Sequence, residues 1–309
     1  MTQVNKDVEA MRLAMKGAGT DEDTLIKVTL KYSHKERLKI RHDYKAAYGR
    51  ELIKDLEGDL SGNFLVTMKA LFTDPIEYDA EQIRNAVKGA GTNDDTLIEI
   101  IASRPGWLLK KVKAKYKEIY KRDLEEDVAD DTSGDYKKCL IALLQCDRST
   151  NQNPDKEECA KIAEELYKAG EGKIGTNEPI FIKHFAHLSP SELMVVAREY
   201  QRLHNNTLYK AVDSEFSFNI KKLLQTIMYV LISPSEYFAT RIREAIKGAG
   251  TNDKMLIRVI VTRHEIDMNI IKQYFKQLYA KGMVKEVQDD VSGDYKKILT
   301  GLMNKFNDQ

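Results

Sequence analysis

The sequence predicts an all-α protein made of four copies of one helical unit. Two observations carry that expectation. The first is a recurring loop. Lys16-Gly-Ala-Gly-Thr-Asp-Glu-Asp-Thr-Leu-Ile26 returns as Lys88-Gly-Ala-Gly-Thr-Asn-Asp-Asp-Thr-Leu-Ile98 and as Lys247-Gly-Ala-Gly-Thr-Asn-Asp-Lys-Met-Leu-Ile257, with a looser copy at Gly172-Lys-Ile-Gly-Thr-Asn-Glu178. Four copies in 309 residues mark a unit of about 75 residues. The second is periodicity. Val4, Val8, Met11 and Met15 recur at helical offsets, as do Ile76, Ala80, Ile83 and Val87, then Cys159, Ile162 and Leu166, then Ala239, Ile242 and Ile246. No alternating strand pattern competes, and only six prolines interrupt the chain.

Each unit reads as five short helices. The first runs into the Gly loop, and the second starts at the Thr after it. The third holds a Lys- and Tyr-rich stretch, as in 112–120. The fourth begins near Arg50, Arg122, Thr207 or Lys281. The fifth is apolar and follows Ser-Gly, as in 136–144. Boundaries fall near Asp74-Pro75, across the polar stretch Asp147-Arg-Ser-Thr-Asn-Gln-Asn-Pro154, and near Ser233-Pro234. The units are therefore 1–74, 75–147, 157–233 and 234–309, with 148–156 a linker. Successive loop glycines (Gly19, Gly91, Gly175, Gly250) are 72, 84 and 75 residues apart, so the chain reads as two pairs of units joined by a longer connection.

Bulk properties narrow the function. With 49 basic against 48 acidic residues, no static basic surface for nucleic acid is evident. Cys139, Cys146 and Cys159 lack zinc-like spacing and read as thiols in a reducing cytosol; a single core-facing stripe explains the first two. The start of the chain has no apolar signal core, and the apolar stretch 223–232 is too short to span a bilayer. A cytoplasmic protein with peripheral membrane contact is expected.

The Gly loop has a plain structural reading. A helix ends at Lys-Gly, with glycine taking the left-handed conformation. Thr20, Thr92, Thr176 and Thr251 cap the next helix, with Asp23 and Asp95 at the capping-box position. A second repeat shifts the balance. Asp131-Thr-Ser-Gly-Asp-Tyr-Lys-Lys138 recurs as Asp290-Val-Ser-Gly-Asp-Tyr-Lys-Lys297, and Asp59-Leu-Ser-Gly62 is a shorter copy. Gly19 to Asp59, Gly91 to Asp131, Gly175 to Glu215 and Gly250 to Asp290 are each forty residues. A carboxylate kept at one distance from a Gly loop four times suggests that the two meet in space.

The chemistry follows from oxygen. The last carbonyls of a helix lack internal partners and carry partial negative charge. Glycines let such carbonyls turn inward. One carboxylate added to them makes an oxygen-only nest suited to Ca²⁺, which takes about six to eight oxygens in flexible geometry. No His or Cys pattern points to zinc or copper. A divalent ion with one carboxylate keeps net positive charge and open positions, which a phospholipid phosphate would fill.

At these residues the chain resembles an annexin, over nearly its whole length. The resemblance implies five-helix repeats arranged as a slightly curved disc, with Ca²⁺ sites on the convex face and reversible, Ca²⁺-dependent binding to acidic phospholipid of the phosphatidylserine kind. Carried over by position, the first site uses the carbonyls of Met15, Gly17 and Gly19 with the carboxylate of Asp59. The second uses Val87, Gly89 and Gly91 with Asp131, and the fourth Ile246, Gly248 and Gly250 with Asp290. In the third, the longer loop suggests Gly170, Lys173 and Gly175 with Glu215. An accessory site would use Thr20 with Glu22, although Glu22 also fits plain helix-start electrostatics. Self-association on the membrane and contact with the cytoskeleton are further partners that this reading admits.

The third unit departs from the pattern. Phe216-Ser-Phe218 stands where the others have Ser-Gly after the acid. Loss of that Gly threatens strain and a weaker third site; core packing of the two aromatics is the preferred reading. An Arg typical of the family after the second helix is present as Arg104 and Arg263, but Tyr32 and His187 replace it elsewhere, so local bonding should differ there. Few residues precede the first helix, which argues against partner-mediated bridging. Trp107 reads as a packing residue.

No enzyme is expected. Gly170-Glu-Gly-Lys-Ile-Gly175 matches a dinucleotide fingerprint, but a helix rather than a strand precedes it. His264-Glu265 lacks the second His of a zinc protease. The competing class is a helical-repeat scaffold of the cytoskeleton with little calcium dependence.

Overall fold

The computed structural model describes residues 3–17, 19–89 and 91–305, with side chains from Lys6 onward; Ala18, Ala90 and the Val4 side chain lie outside the described residues. The described residues form twenty α-helices and no strand. The first repeat holds α1 (Gln3–Ala14), α2 (Glu22–Lys31), α3 (His34–Tyr48), α4 (Leu52–Asp59) and α5 (Gly62–Phe72). The second holds α6 (Pro75–Val87), α7 (Asp94–Ser103), α8 (Gly106–Tyr120), α9 (Leu124–Asp131) and α10 (Gly134–Leu144). The third holds α11 (Lys156–Ala169), α12 (Glu178–His187), α13 (Pro190–His204), α14 (Leu208–Glu215) and α15 (Phe218–Ile232). The fourth holds α16 (Pro234–Ala245), α17 (Asp253–Arg263), α18 (Met268–Tyr279), α19 (Met283–Asp290) and α20 (Gly293–Asn304).

Local chemistry sets the helix ends. Ser33 and Glu36 close a capping box on α3, and Ser189 and Glu192 do the same on α13. The third helix of every repeat stops at a left-handed residue, Gly49, Lys121, Asn205 or Ala280, whose N–H returns to the carbonyl four residues back. The apolar stripes read from the sequence face inward. Val8, Met11, Ala80, Ile83, Leu166, Ala239 and Ile242 are all buried.

The chain divides into two compact units, 1–75 with 235–309 and 76–234. This corrects the pairing expected from the loop spacing, in which consecutive repeats would pair. The first repeat packs with the fourth and the second with the third. The reason lies in the connector. Arg148 is half-buried and donates to the carbonyls of Leu188 (2.6 Å) and Phe185 (2.8 Å), while the Ser149 N–H donates to His187 O (2.7 Å). Rather than separating two bodies, the connector is laid against the third repeat. One continuous apolar core then runs from Ala80 to Met228, where α7 meets α15 and α10 meets α12. In the other unit α2 meets α20 and α5 meets α17.

Three further expectations are corrected. Phe216 does pack inside, edge-on to Phe181 with centroids 5.0 Å apart, but Phe218 is 90% exposed. Trp107 is 62% exposed, with the Lys111 ammonium 5.3 Å from its ring, because it lies in the first turn of α8 off the face that buries Leu109, Val112 and Tyr116. Cys139 lies on the buried face of α10, whereas Cys146 lies past the helix end in a left-handed turn, so no single stripe holds both. The Arg positions behave as expected. Arg104 makes a bidentate pair with Asp79 (2.7 and 2.9 Å), Arg263 pairs with Asp267, Tyr32 donates to Asp7 (2.6 Å), and His187 meets Asp147 (3.0 Å).

Candidate metal centre

Each Gly loop is a closed backbone turn. In the first, second and fourth repeats the N–H of Asp21, Asn93 or Asn252 donates to the carbonyl of Ala14, Ala86 or Ala245, seven residues back, at 2.7–2.9 Å. Asn177 closes the third loop onto Ala169 (2.7 Å), eight residues back, which accounts for its extra length. The enclosed glycines need positive φ. Gly17, Gly89 and Gly248 lie at 111°, 116° and 119°, and Gly19, Gly91, Gly175 and Gly250 between 79° and 94°. An L side chain is strained in that region, which is why glycine occupies it.

The helix caps fall one residue later than the sequence suggests. Asp21, Asn93 and Asn252 accept the N–H of Thr24, Thr96 and Met255 at 3.0–3.2 Å, so these residues, and not the preceding threonines, are the N-caps. Asp23 and Asp95 are therefore not capping-box acids. They pair instead with Lys297 and Lys222 of the repeat packed alongside.

Release from capping leaves the threonines free to reach the distant acids. Thr92 Oγ1 donates to Asp131 Oδ2 at 2.6 Å and to its carbonyl at 2.8 Å. Thr176 reaches Glu215 Oε2 at 2.6 Å, and Thr251 reaches Asp290 Oδ2 at 2.5 Å. Thr20 reaches only the backbone carbonyl of Asp59, at 3.3 Å. The Asp59 side chain is exposed, and it lines a cleft with Glu22, Ser61, Ser292 and Asp294. The forty-residue spacing thus corresponds to physical contact in all four repeats.

The remaining candidates fall around these contacts. Met15, Val87 and Ile246 bury their side chains at the loop entrance, while Gly17, Gly19, Gly89, Gly91, Gly248 and Gly250 are exposed. In the third loop Gly170 is pressed against Glu215, since a Cβ there would lie 3.1 Å from Glu215 Cγ. The Gly170 carbonyl accepts the Lys173 N–H at 3.0 Å and retains a second lone pair. Lys173 and Gly175 are exposed. Among the described residues no three His, Cys, Asp or Glu side chains are grouped to hold a metal. Each loop offers one acid and a run of backbone.

The sequence reading missed what aims the acids. Four residues before three of them stands a second acid. Asp55 accepts Tyr44 (2.6 Å) and Arg50 (2.9 Å), and Asp127 accepts Tyr116 (2.5 Å) and Arg84 (2.7 Å). Glu286 pairs with Arg243 (2.9 Å) and Lys281 (3.0 Å). The Arg50 guanidinium holds Asp55 below the usual carboxylate range against the opposing effect of burial. Burial, followed by Asp55 itself, pushes Tyr44 up to about 12. These anchors fasten α4, α9 and α19 one turn before the site. In the third repeat Ala211 stands at that position, and Tyr200 turns to Glu171 in the loop (2.6 Å), which also accepts Asn206 (2.7 Å). Aligning the four repeats in register would have exposed the first three anchors.

A family model described as Annexin matches residues 6–71, 78–143, 161–227 and 237–302. The chain belongs to the annexin family. Human annexin A13 is 38% identical over 301 residues, covering 97% of this chain and 95% of that protein. Human annexin A7 is 39% identical over 300 residues, but this annexin spans 62% of its length. The annexin III structure superposes with a TM-score of 0.96 at 36% identity, covering 98% of this chain and 94% of that one. A calcium-bound annexin (Sm)1 structure superposes with a TM-score of 0.86 at 29% identity, covering 97% and 90%.

Proposed function

We propose that this annexin binds acidic phospholipid membranes reversibly, through Ca²⁺ ions held between each Gly loop and its partner acid. The observation that carries the reading is the threonine contact, which brings a carboxylate forty residues away onto the loop in repeat after repeat. The carbonyls of Met15, Gly17 and Gly19 with Asp59 would hold one ion, and Val87, Gly89 and Gly91 with Asp131 a second. Gly170, Lys173 and Gly175 with Glu215 would hold a third, and Ile246, Gly248 and Gly250 with Asp290 a fourth. Thr20 and Glu22 form an accessory position, supported by the cleft that Glu22 shares with Asp59.

The donor set fits a hard cation with oxygen ligands. One carboxylate leaves the ion net positive, so a phosphate oxygen of phosphatidylserine completes its shell. With so few charged ligands, affinity for Ca²⁺ alone is weak, on the order of 10⁻⁴ M. Lipid and Ca²⁺ then tighten each other's binding by the same factor, and several loops on one chain add avidity. The role is binding rather than catalysis, at the cytosolic face of a membrane. Among the described residues no helix is long and apolar enough to cross one.

The test is co-sedimentation with phosphatidylserine vesicles. Pelleting in millimolar Ca²⁺ that reverses in excess chelator is expected. Pelleting that persists unchanged in chelator, or absence of pelleting in Ca²⁺ alongside binding to cytoskeletal filaments, would favour the scaffold reading.

A further inference from the structure

The third repeat carries two large apolar side chains at positions where the other repeats have only alanine or glycine. Ile174 is fully exposed and Phe218 is 90% exposed, the two most exposed large hydrophobics among the described residues. They sit on different segments of one site. Ile174 is two residues before Thr176, Phe218 three after Glu215, and the 2.6 Å hydrogen bond between Thr176 and Glu215 ties those segments together. In register with Ile174 the other loops carry Ala18, Ala90 and Ala249, and in register with Phe218 they carry Gly62, Gly134 and Gly293.

Phe218 occupies that place against a backbone cost. Its φ is +51°, matching the +59° to +61° of the three glycines. A side chain with a Cβ is disfavoured there, and a bulky one especially so. The fold gains little in return, because the ring is directed into solvent while its neighbour Phe216 fills the core. An exposed aromatic in a strained conformation is a candidate contact for something outside the chain. The pair projects outward at a site proposed to face lipid headgroups, and the exposed Lys173 beside Ile174 suits an anionic surface.

We propose that Phe218, with Ile174, is an apolar anchor that enters the headgroup–acyl boundary of an acidic membrane when the third loop docks. The proposal rests on the membrane reading above. It assigns the third repeat a different contribution from the other three: burial of apolar surface added to the ion bridge.

The test uses Phe218→Trp in a Trp107→Phe background, so that emission reports one position, together with Phe218→Gly. Mixed phosphatidylserine and phosphatidylcholine vesicles with Ca²⁺ should shift the emission of the Phe218→Trp variant to the blue, and nitroxide-labelled lipids should quench it. Phe218→Gly should weaken apparent vesicle affinity about tenfold, as expected for losing one buried aromatic. It should also raise the melting temperature by relieving the strain, a readout that separates lost anchoring from damage to the fold. If the parent chain pellets normally, the emission does not move and Phe218→Gly binds as the parent does, the anchor is refuted and the membrane reading stands. If the parent chain does not pellet in Ca²⁺, both fall. A concentration-dependent dimer that Phe218→Gly abolishes, without a lipid-dependent shift, would overturn the anchor in favour of a second copy of the chain.

Discussion

Replacing Asp131 and Asp290 together by asparagine removes one negative charge from each of two loops. The change is gentle on the fold. An asparagine oxygen still accepts the hydroxyls of Thr92 and Thr251, which now lie 2.6 and 2.5 Å from the carboxylates. Replacing a charged acceptor by a neutral one costs about 1 kcal/mol or less of stability at these partly exposed positions. The loss to a bound cation is larger. A charge-assisted contact contributes roughly 1.5–3 kcal/mol, so each altered loop should lose at least about tenfold in Ca²⁺ affinity. Two loops remain intact, and avidity shares the load. The Ca²⁺ needed for half-maximal vesicle pelleting should therefore rise by a smaller factor, about three- to fivefold. Far-ultraviolet circular dichroism and the urea midpoint check that helices and stability are retained. An unchanged calcium requirement in a folded variant would show that these acids do not hold the ion, and the reasoning from loop to ligand would fail.

Other outcomes follow from packing and protonation. Gly301→Ala places a Cβ 2.2 Å from Leu30 Cδ1, so it should destabilise the unit formed by the first and fourth repeats by about 1–3 kcal/mol in urea denaturation, and Leu30→Ala should recover part of the loss. Ala280→Gly relieves a left-handed residue at φ 55° and should stabilise by about 1 kcal/mol, read as a higher urea midpoint. Stability should also fall in mild acid. Burial lowers His34 to about 4 and lowers His264 as well; with both depressed, the unfolded chain binds protons that the folded chain refuses as pH drops below about 6.5. His34→Gln should flatten the decline between pH 6.5 and 4 by an amount on the order of 1 kcal/mol, measured by denaturation at a series of pH values. Glu265 contributes in a lower window. Burial opposes its ionisation, but His264, Arg37 and the His34 N–H hold it at about 2, so its stabilisation is lost only as pH falls from about 4.5 towards 2.

The fold was legible because its signals are local and repeated. Amphipathic stripes such as Ala80, Ile83 and Val87 follow from helical geometry, and the Gly loops mark where each first helix stops. The meeting of loop and acid was legible from spacing alone, since a distance kept in four copies constrains all four together. The capping residue was not, because Thr92 and Asn93 are both good caps, and only the position of Asp131 shows which of them is otherwise engaged. The pairing of the first repeat with the fourth rests on contacts such as Lys297 with Asp23, 274 residues apart, which no local pattern reveals. Phe218 was misplaced because an aromatic suggests a core; its register with Gly62, Gly134 and Gly293 points instead to a left-handed residue whose ring faces outward.

The most direct measurement of the central claim is an anomalous-difference map from crystals grown in excess Ca²⁺ or soaked in a lanthanide. A peak beside each of Asp59, Asp131, Glu215 and Asp290, within coordination distance of the loop carbonyls, is the expected result. Well-ordered loops with no density at any of the four, and the threonine hydroxyls still bound to their acids, would contradict it.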